Sequence, residues 1–304
     1  MTEYRAAFDA VVEFTNGGSL SVQGFRIDVP SPDVDADTVA ELFVASLGLL
    51  MTGTVTISDL QIVDEPHRGT RGAPTPLDAQ ATPATRFVDL SHVIRDSMVT
   101  FPGLPGPIIS PHLTREASRS SYAPGTEFAI DRISMVGNTG TYIDAPFHRF
   151  ADGADLSELP LDRLASLPAV VVRIAGTPQR AVDRLALASL GELRGAAVLI
   201  HSGDSARFGA SEYAEDTAFI TSDGAEYLVR AGAALVGIDS ISVDDLTDPS
   251  RPAHTVLLRA GIPIVEHLTG LDQLPPRGAV FSAVPPMVAS FSAFPVRAYA
   301  QLPA

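Results

Sequence analysis

The strongest constraint on this chain is a series of short β-branched runs split by proline and glycine. Ala197–Ile200, Ala234–Ile238 and Pro263–Val265 are continuously apolar, and Val170–Ile174 is interrupted only by Arg173. Unbroken apolarity over so few residues reads as strands buried on both faces. Helical spacing appears at Leu156–Leu164, Val182–Leu190 and Asp223–Ala231, where apolar residues recur every three or four positions. The combination is mixed α/β, with no internal repeat and no low-complexity tract. Hydrophobic residues make up 45% of the 304, ample for a large core.

The first 66 residues read differently, as a small ββαβ unit. Phe8–Thr15 is β-rich, and Asn16-Gly17-Gly18 supplies a hairpin turn. The returning run carries Leu20 and Val22, then Phe25, Ile27 and Val29. Its phase slips by one at Gly24, which predicts a β-bulge. Asp35–Leu50 has helical spacing with Asp37 as its cap, and Val55, Ile57 and Ile62 mark a last strand. Nothing in it resembles a catalytic cluster, so packing or oligomerisation is its expected role. Residues 67–85 lack periodicity and are rich in Pro, Gly, Thr and Arg, so they read as a linker with a solvated His67. The main domain then runs over 86–304.

Composition removes several chemistries. Cysteine is absent and all 21 basic residues are arginine, so thiolate nucleophiles, Schiff-base lysines and a phosphate-loop lysine are excluded. A net charge of −15 disfavours nucleic acid and anionic membranes as partners. The expected partner is a small-molecule substrate, with the chain a homo-oligomer. Leu42–Met51 is too short an apolar run to span a bilayer, and a cytoplasmic location is expected. Acid–base work falls to His, Asp, Glu or Tyr.

The densest polar signal is the run Gly137–His148. Asn138, Tyr142, Asp144 and His148 are separated by even numbers, which on a strand puts them on one face. An imidazole four residues from a carboxylate, beside a phenol, can orient water and move protons. The same residues in a loop beside proline also suit a purely structural role.

The segment resembles the signature of the cyclase family, the kynurenine formamidase-like metal-dependent hydrolases, H-x-G-T-H-x-D-x-P-x-H. Gly140, Thr141, Asp144, Pro146 and His148 match it, and Asn138 and Tyr142 stand where the family has its first two histidines. Val88–His92, Phe101-Pro102-Gly103, Asp152-Gly153-Ala154, Gly237–Asp244, the His254/Glu266 pair and Pro295–Ala298 follow in the family's order, over about residues 87–300.

The resemblance implies a swivelling β/β/α fold and His148 as general acid/base. It also implies a divalent metal on the signature histidines and aspartate, with a second on the aspartate and the distal His/Glu pair. With Asn138 and Tyr142 replacing histidines, the retained ligand set is Asp144, His254 and Glu266. That set suits manganese or iron better than zinc, since zinc favours imidazole and thiolate. Tyrosinate from Tyr142 would aid it; equally, Tyr142 and Asn138 could hydrogen-bond Asp144 and leave no metal bound.

The expected enzyme hydrolyses, or in reverse closes, a small amide, lactone or cyclic imide. Its catalytic residues are His148, Tyr142 and Asp144, with Asn138, Phe101 and His201 against the substrate. The alternatives are a metal-independent relative carrying out cyclisation, dehydration or isomerisation, and a catalytically inactive binding protein. A Ser/His/Asp triad at His201-Ser202-Gly203-Asp204 is disfavoured, because adjacent side chains on a strand point apart. His92, His112 and His267 read as structural, and Arg297 as pairing either a buried carboxylate or a substrate.

Overall fold

The computed structural model describes residues 4–47, 52–64 and 85–303, and the chain divides into two compact units, Met1–Thr82 and Pro83–Ala304. The region read as a linker, with His67, lies outside the described residues apart from Thr85.

The first unit is β1 (Tyr4–Phe14), β2 (Ser19–Val29), α1 (Ala36–Leu47) and β3 (Thr52–Asp64), an antiparallel sheet in the order β2-β1-β3. The bulge sits where the phase slip predicts it. Between Phe8↔Phe25 and Ala10↔Val22, β1 advances two residues and β2 three. Gly24 takes φ +61 there, and its N–H donates to Asp9 Oδ1 at 2.6 Å, a conformation open to glycine at little cost. The helix cap lies two residues earlier than expected. Asp35, not Asp37, accepts the Thr38 N–H at 2.9 Å, because the capping side chain must precede the first helical residue. Ala6, Phe8, Ala10 and Val12 alternate inward from β1 onto Val39 and Phe43 of α1.

The second unit is built on a nine-stranded sheet. Its strands are β4 (Arg86–Asp89), β7 (Tyr142–Asp144), β8 (Leu167–Arg173), β10 (Ala197–His201), β12 (Leu235–Ile238), β13 (Ile264–Glu266), β14 (Arg277–Ser282), β15 (Ala293–Pro295) and β16 (Tyr299–Leu302). Two short pairs lie apart from it: β5 (Ile108–Leu113) with β6 (Ile130–Ser134), and β9 (Ala181–Val182) with β11 (Phe219–Ile220). The sheet order is β15-β7-β13-β12-β10-β8-β14-β16-β4, with parallel pairing from β13 to β8 and antiparallel pairing outside. Those parallel strands are the four apolar runs. Ala169, Val171, Ala197 and Leu199 enter one core, whereas Val170, Val172, Val198 and Ile200 enter another on the opposite face. Both faces being buried explains why the sequence shows no alternation.

Helices α2 (Arg115–Ser118), α3 (Arg184–Ala188), α4 (Ser222–Ala231) and α5 (Pro252–Arg259) complete the unit. Two helical readings need correction. Leu156–Leu164 forms turns and a single 3-10 turn at Leu161–Arg163, since Pro160 lacks an N–H and disfavours helix just before it. Val182 ends β9, and Asp183 caps α3 by accepting the Ala186 N–H at 2.9 Å. The spacing of α5 escaped the sequence reading altogether, and this is the helix that carries His254. No described helix is long and apolar enough to cross a membrane.

Candidate active site

Strand β7 is hydrogen-bonded on both sides, to β13 with Tyr142 opposite Glu266 and to β15 with Tyr142 opposite Pro295. Ile143 goes into the core, so Tyr142 and Asp144 share the other face. The single-strand expectation for the whole signature does not hold. The strand ends at Asp144, and Pro146 starts a 3-10 turn that delivers His148, because proline cannot donate to a ladder but suits the first helical position. Asn138 arrives on a loop. A Cβ on Gly137 would sit 2.2 Å from the Ala293 carbonyl oxygen, so only glycine lets this loop pass so close to β15.

These side chains converge on a cavity of about 360 Å³, in the range of small-molecule sites. Phe101, Asn138, Tyr142, His148, His254 and Glu266 all line it, as do Leu104, Arg149, Ser242 and Arg251, which the sequence did not single out. His201 does not line it. Its Nδ1 lies 2.9 Å from an Arg173 guanidinium nitrogen and its Nε2 4.0 Å from Asp239, at the C-terminal end of β10. The strand that carries His201 aims it at this neighbouring buried carboxylate, so it is not a contact of this cavity. Ser202 donates to the same Asp239 at 2.6 Å and is no nucleophile there.

Inside the cavity, Tyr142 donates to Glu266 Oε2 at 2.5 Å, and the Val243 N–H donates to Oε1 at 2.7 Å. Asn138 Nδ2 donates to Asp144 Oδ1 at 3.3 Å, and His148 Nδ1 lies 3.6 Å from the same oxygen. Asp144 is fully buried, yet its Oδ2 has no hydrogen-bond partner. Nε2 of His254 stands 3.8 Å from that oxygen and 3.5 Å from Glu266 Oε1. Asp244 fixes His254, accepting from its Nδ1 at 2.6 Å and from the backbone N–H groups of Ala253 and His254. Its role was missed: ten residues separate acid from histidine, and no helix was expected to bring them together.

Burial alone would lower the His254 pKa, but Glu266, Asp144 and Asp244 overcome it and hold the imidazole up at about 10. Burial, reinforced by Glu266 and Asp144, pushes the Tyr142 phenol well above its usual 10. Without a cation beside it the phenol is a neutral donor, directed at Glu266. Burial also raises Glu266, although His254 opposes it. Outside the cavity, burial drives His92 down to about 4 and His267, which also feels His92, down to about 3. His92 stacks on Phe208 with centroids 3.7 Å apart, and His267 Nδ1 lies 2.9 Å from the Tyr213 hydroxyl, in keeping with structural roles. His112 lies beside Arg132 on the β5/β6 pair. Arg297 pairs with the half-exposed Asp89 at 2.7 Å, not with a buried acid.

The residues present fit a divalent cation. Asp144, His148 and His254 each offer one ligand atom, all within 4.8 Å of one another. The unpartnered Asp144 oxygen is the observation that counts, because an unpaired buried carboxylate oxygen is costly unless a proton or cation meets it. Glu266 lies beside this set, but both its oxygens already accept hydrogen bonds.

Residues 88–245 match the model of a family described as putative cyclase. The kynurenine formamidase of Geobacillus thermodenitrificans is 32% identical over 213 residues, covering 70% of this chain and 95% of that protein. Among solved structures, isatin hydrolase A from Ralstonia solanacearum aligns with TM-score 0.63 and 25% identity, over 77% of this chain and all of that one. A potential metal-dependent hydrolase with cyclase activity has the same fold, with TM-score 0.59 and 24% identity over 72% of this chain and 98% of that one.

Proposed function

The chain belongs to the putative cyclase family and is a hydrolase of amide bonds; from that premise we propose that it opens the C–N bond of a small amide or cyclic imide, with His148 moving the protons. Named relatives act on a formamide and on isatin, and a cavity of about 360 Å³ suits substrates of that size. The observation that carries the reading is the meeting of Asp144, His148 and His254 around one unpartnered carboxylate oxygen.

His148 is the most solvent-accessible of the three, with 33% of its side chain exposed. Its Nδ1 faces Asp144, which leaves Nε2 for the substrate side. In the proposed step Nε2 takes a proton from the attacking water while the water oxygen bonds to the amide carbon. The same proton is then delivered to the departing nitrogen as the C–N bond breaks, giving a carboxylic acid together with an amine from an amide, or with an amide from a cyclic imide. Asp144 orients the imidazole. Tyr142 and Val243 hold Glu266 in place, and Asp244 holds His254. A divalent cation held by Asp144 and His254, the two members of that cluster the proton transfer leaves free, would polarise the carbonyl and acidify a bound water.

A metal-independent variant of this reading rests on a separate observation. His254 Nε2 stands 3.8 Å from Asp144 Oδ2 and 3.5 Å from Glu266 Oε1, so a protonated His254 would itself be the positive charge facing both acids.

Formanilide tests the proposal. The purified enzyme should release aniline, and His148→Ala should lower kcat by roughly 10²- to 10⁴-fold. Elemental analysis should find the same metal content in both proteins. A His148→Ala protein that loses its metal makes His148 a ligand and removes the acid/base assignment.

A further inference from the structure

Residues 240–244 follow β12 at its C-terminal end, where open α/β sheets place their ligands, and bring Ser242 into the cavity wall. The neighbours of Ser242 in this segment are all committed. The Ser240 carbonyl accepts the His267 N–H at 3.2 Å, and Ile241 is fully buried. The Val243 N–H donates to Glu266 Oε1 at 2.7 Å, and Asp244 holds His254. Ser242 itself is only 6% exposed. Its Oγ accepts the Asp244 N–H at 3.1 Å, which engages an oxygen lone pair and leaves the hydroxyl hydrogen to spare. Among the described residues nothing accepts that hydrogen.

The other neutral side-chain donors of the cavity are spent. Tyr142 gives its hydroxyl hydrogen to Glu266 at 2.5 Å, and Asn138 hydrogen-bonds Asp144 at 3.3 Å and also the Tyr142 phenol. Arg149 is exposed and Arg251 half-buried, so both stand nearer solvent than Ser242. The surrounding acids, Asp144, Asp244 and Glu266, are nearly or fully buried. Attack on an amide places negative charge on its carbonyl oxygen, and carboxylates close by oppose that charge in a low-dielectric cleft. A fixed hydrogen-bond donor offsets the opposition, and it acts most strongly where water is excluded. The Val243 N–H cannot serve, because Glu266 already takes it. A nearly buried hydroxyl hydrogen without a partner also costs free energy unless a ligand meets it.

We infer that Ser242 is a further catalytic residue, whose hydroxyl donates a hydrogen bond to the carbonyl oxygen of the scissile amide as that oxygen becomes negative. When the water oxygen bonds to the carbon, the carbonyl π pair moves onto the oxygen. Ser242 shares its hydrogen with that pair without giving it up, and the pair returns to the carbon as the C–N bond breaks. The hydroxyl is thus neither nucleophile nor acid. The inference rests on the amide-hydrolase reading above.

Turnover of formanilide and of thioformanilide by the full chain as purified tests it, because the sulfur that replaces the carbonyl oxygen is a weak hydrogen-bond acceptor. Ser242→Ala should lower kcat on formanilide roughly 10²- to 10³-fold, the usual cost of removing one such donor, with KM changed far less. On thioformanilide the same substitution should cost about tenfold or less. Ser242→Cys keeps an atom to accept the Asp244 N–H but supplies only a weak donor. It should therefore be as slow on formanilide as Ser242→Ala, and it decides the matter if the alanine variant does not fold or thioformanilide turns over too slowly to measure. Equal losses on the two substrates, or a cysteine variant restored to full rate, would mean that Ser242 acts only by holding Asp244, and would overturn the inference. Unchanged formanilide turnover in Ser242→Ala overturns it too and leaves the hydrolase reading standing. Release of aniline from neither substrate by the unaltered enzyme removes the hydrolase reading and the inference with it.

Discussion

The two units of this chain treat polar groups in opposite ways. Among the described residues, every buried polar or charged side chain, from Thr100 to Ser282, lies in the second unit. The first unit buries Ala6, Phe8, Ala10, Val12, Val29, Val39 and Phe43. Its Phe8, Phe25 and Phe43 rings meet at centroid distances of 4.9–5.8 Å. Apolar burial of that kind stabilises outright, by about 1.5–3 kcal/mol per large side chain. The second unit instead buries Asp144, Asp239, Asp244, Glu266, His254 and His267. Buried acids destabilise a fold unless they are paired, and they are where pKa values move far enough to be useful. The contrast teaches that the first unit buries apolar side chains and no reactive group among its described residues, whereas the second embeds its reactive acids and histidines between two apolar cores of its own.

The largest expected effect tests the apolar side of the comparison. Phe43→Ala should destabilise the first unit by about 3–5 kcal/mol, the range for emptying a buried aromatic site, and leave kcat on formanilide unchanged. Denaturant melts combined with the activity assay measure both. A fall in kcat would mean that the first unit contributes to the chemistry.

The next effect tests the polar side through pH. In chelator-treated protein the His254 imidazole is held at about 10 in the folded state, against about 6.5 when unfolded. A raised pKa means that the folded state binds the proton more tightly. The resulting stabilisation is full below about pH 6.5 and is lost as pH rises toward 10, at about 1.4 kcal/mol per pH unit. Urea melts across that window should show this slope, and Asp244→Asn, which removes one of the raising partners, should make it shallower. A flat profile would mean that His254 is not charged and that the buried acids are neutralised in another way.

The smallest effect sharpens the comparison at a single hydrogen bond. Tyr142→Phe removes the donor to Glu266 Oε2 and leaves a buried oxygen unpaired, costing about 1–3 kcal/mol. Cation binding should offset part of this loss, so added manganese should raise the melting temperature of Tyr142→Phe more than that of the unaltered protein. Equal shifts would separate Glu266 from the cation site.

What the sequence determined by itself was the set of reactive groups and the main strands. The absence of lysine and cysteine, the retained Asp144, His148, His254 and Glu266, and the four apolar runs are properties of residues and their near neighbours. So are the bulge at Gly24 and the turn after β1. Helix ends and short turns were less legible, because Pro160 and Asp183 break patterns that the apolar spacing alone continues. Only the tertiary structure decided who meets whom. Tyr142 and Glu266 are 124 positions apart, and the pairing of β7 with β13 brings the phenol to the carboxylate and keeps it protonated. His201, a candidate from position alone, is turned to Asp239 by its own strand. The link from Asp244 to His254 and the convergence of Arg149 and Arg251 on one cavity have the same origin. Contacts between distant residues are set by sheet register and helix placement, and these follow from burying the whole core at once, which no local pattern records.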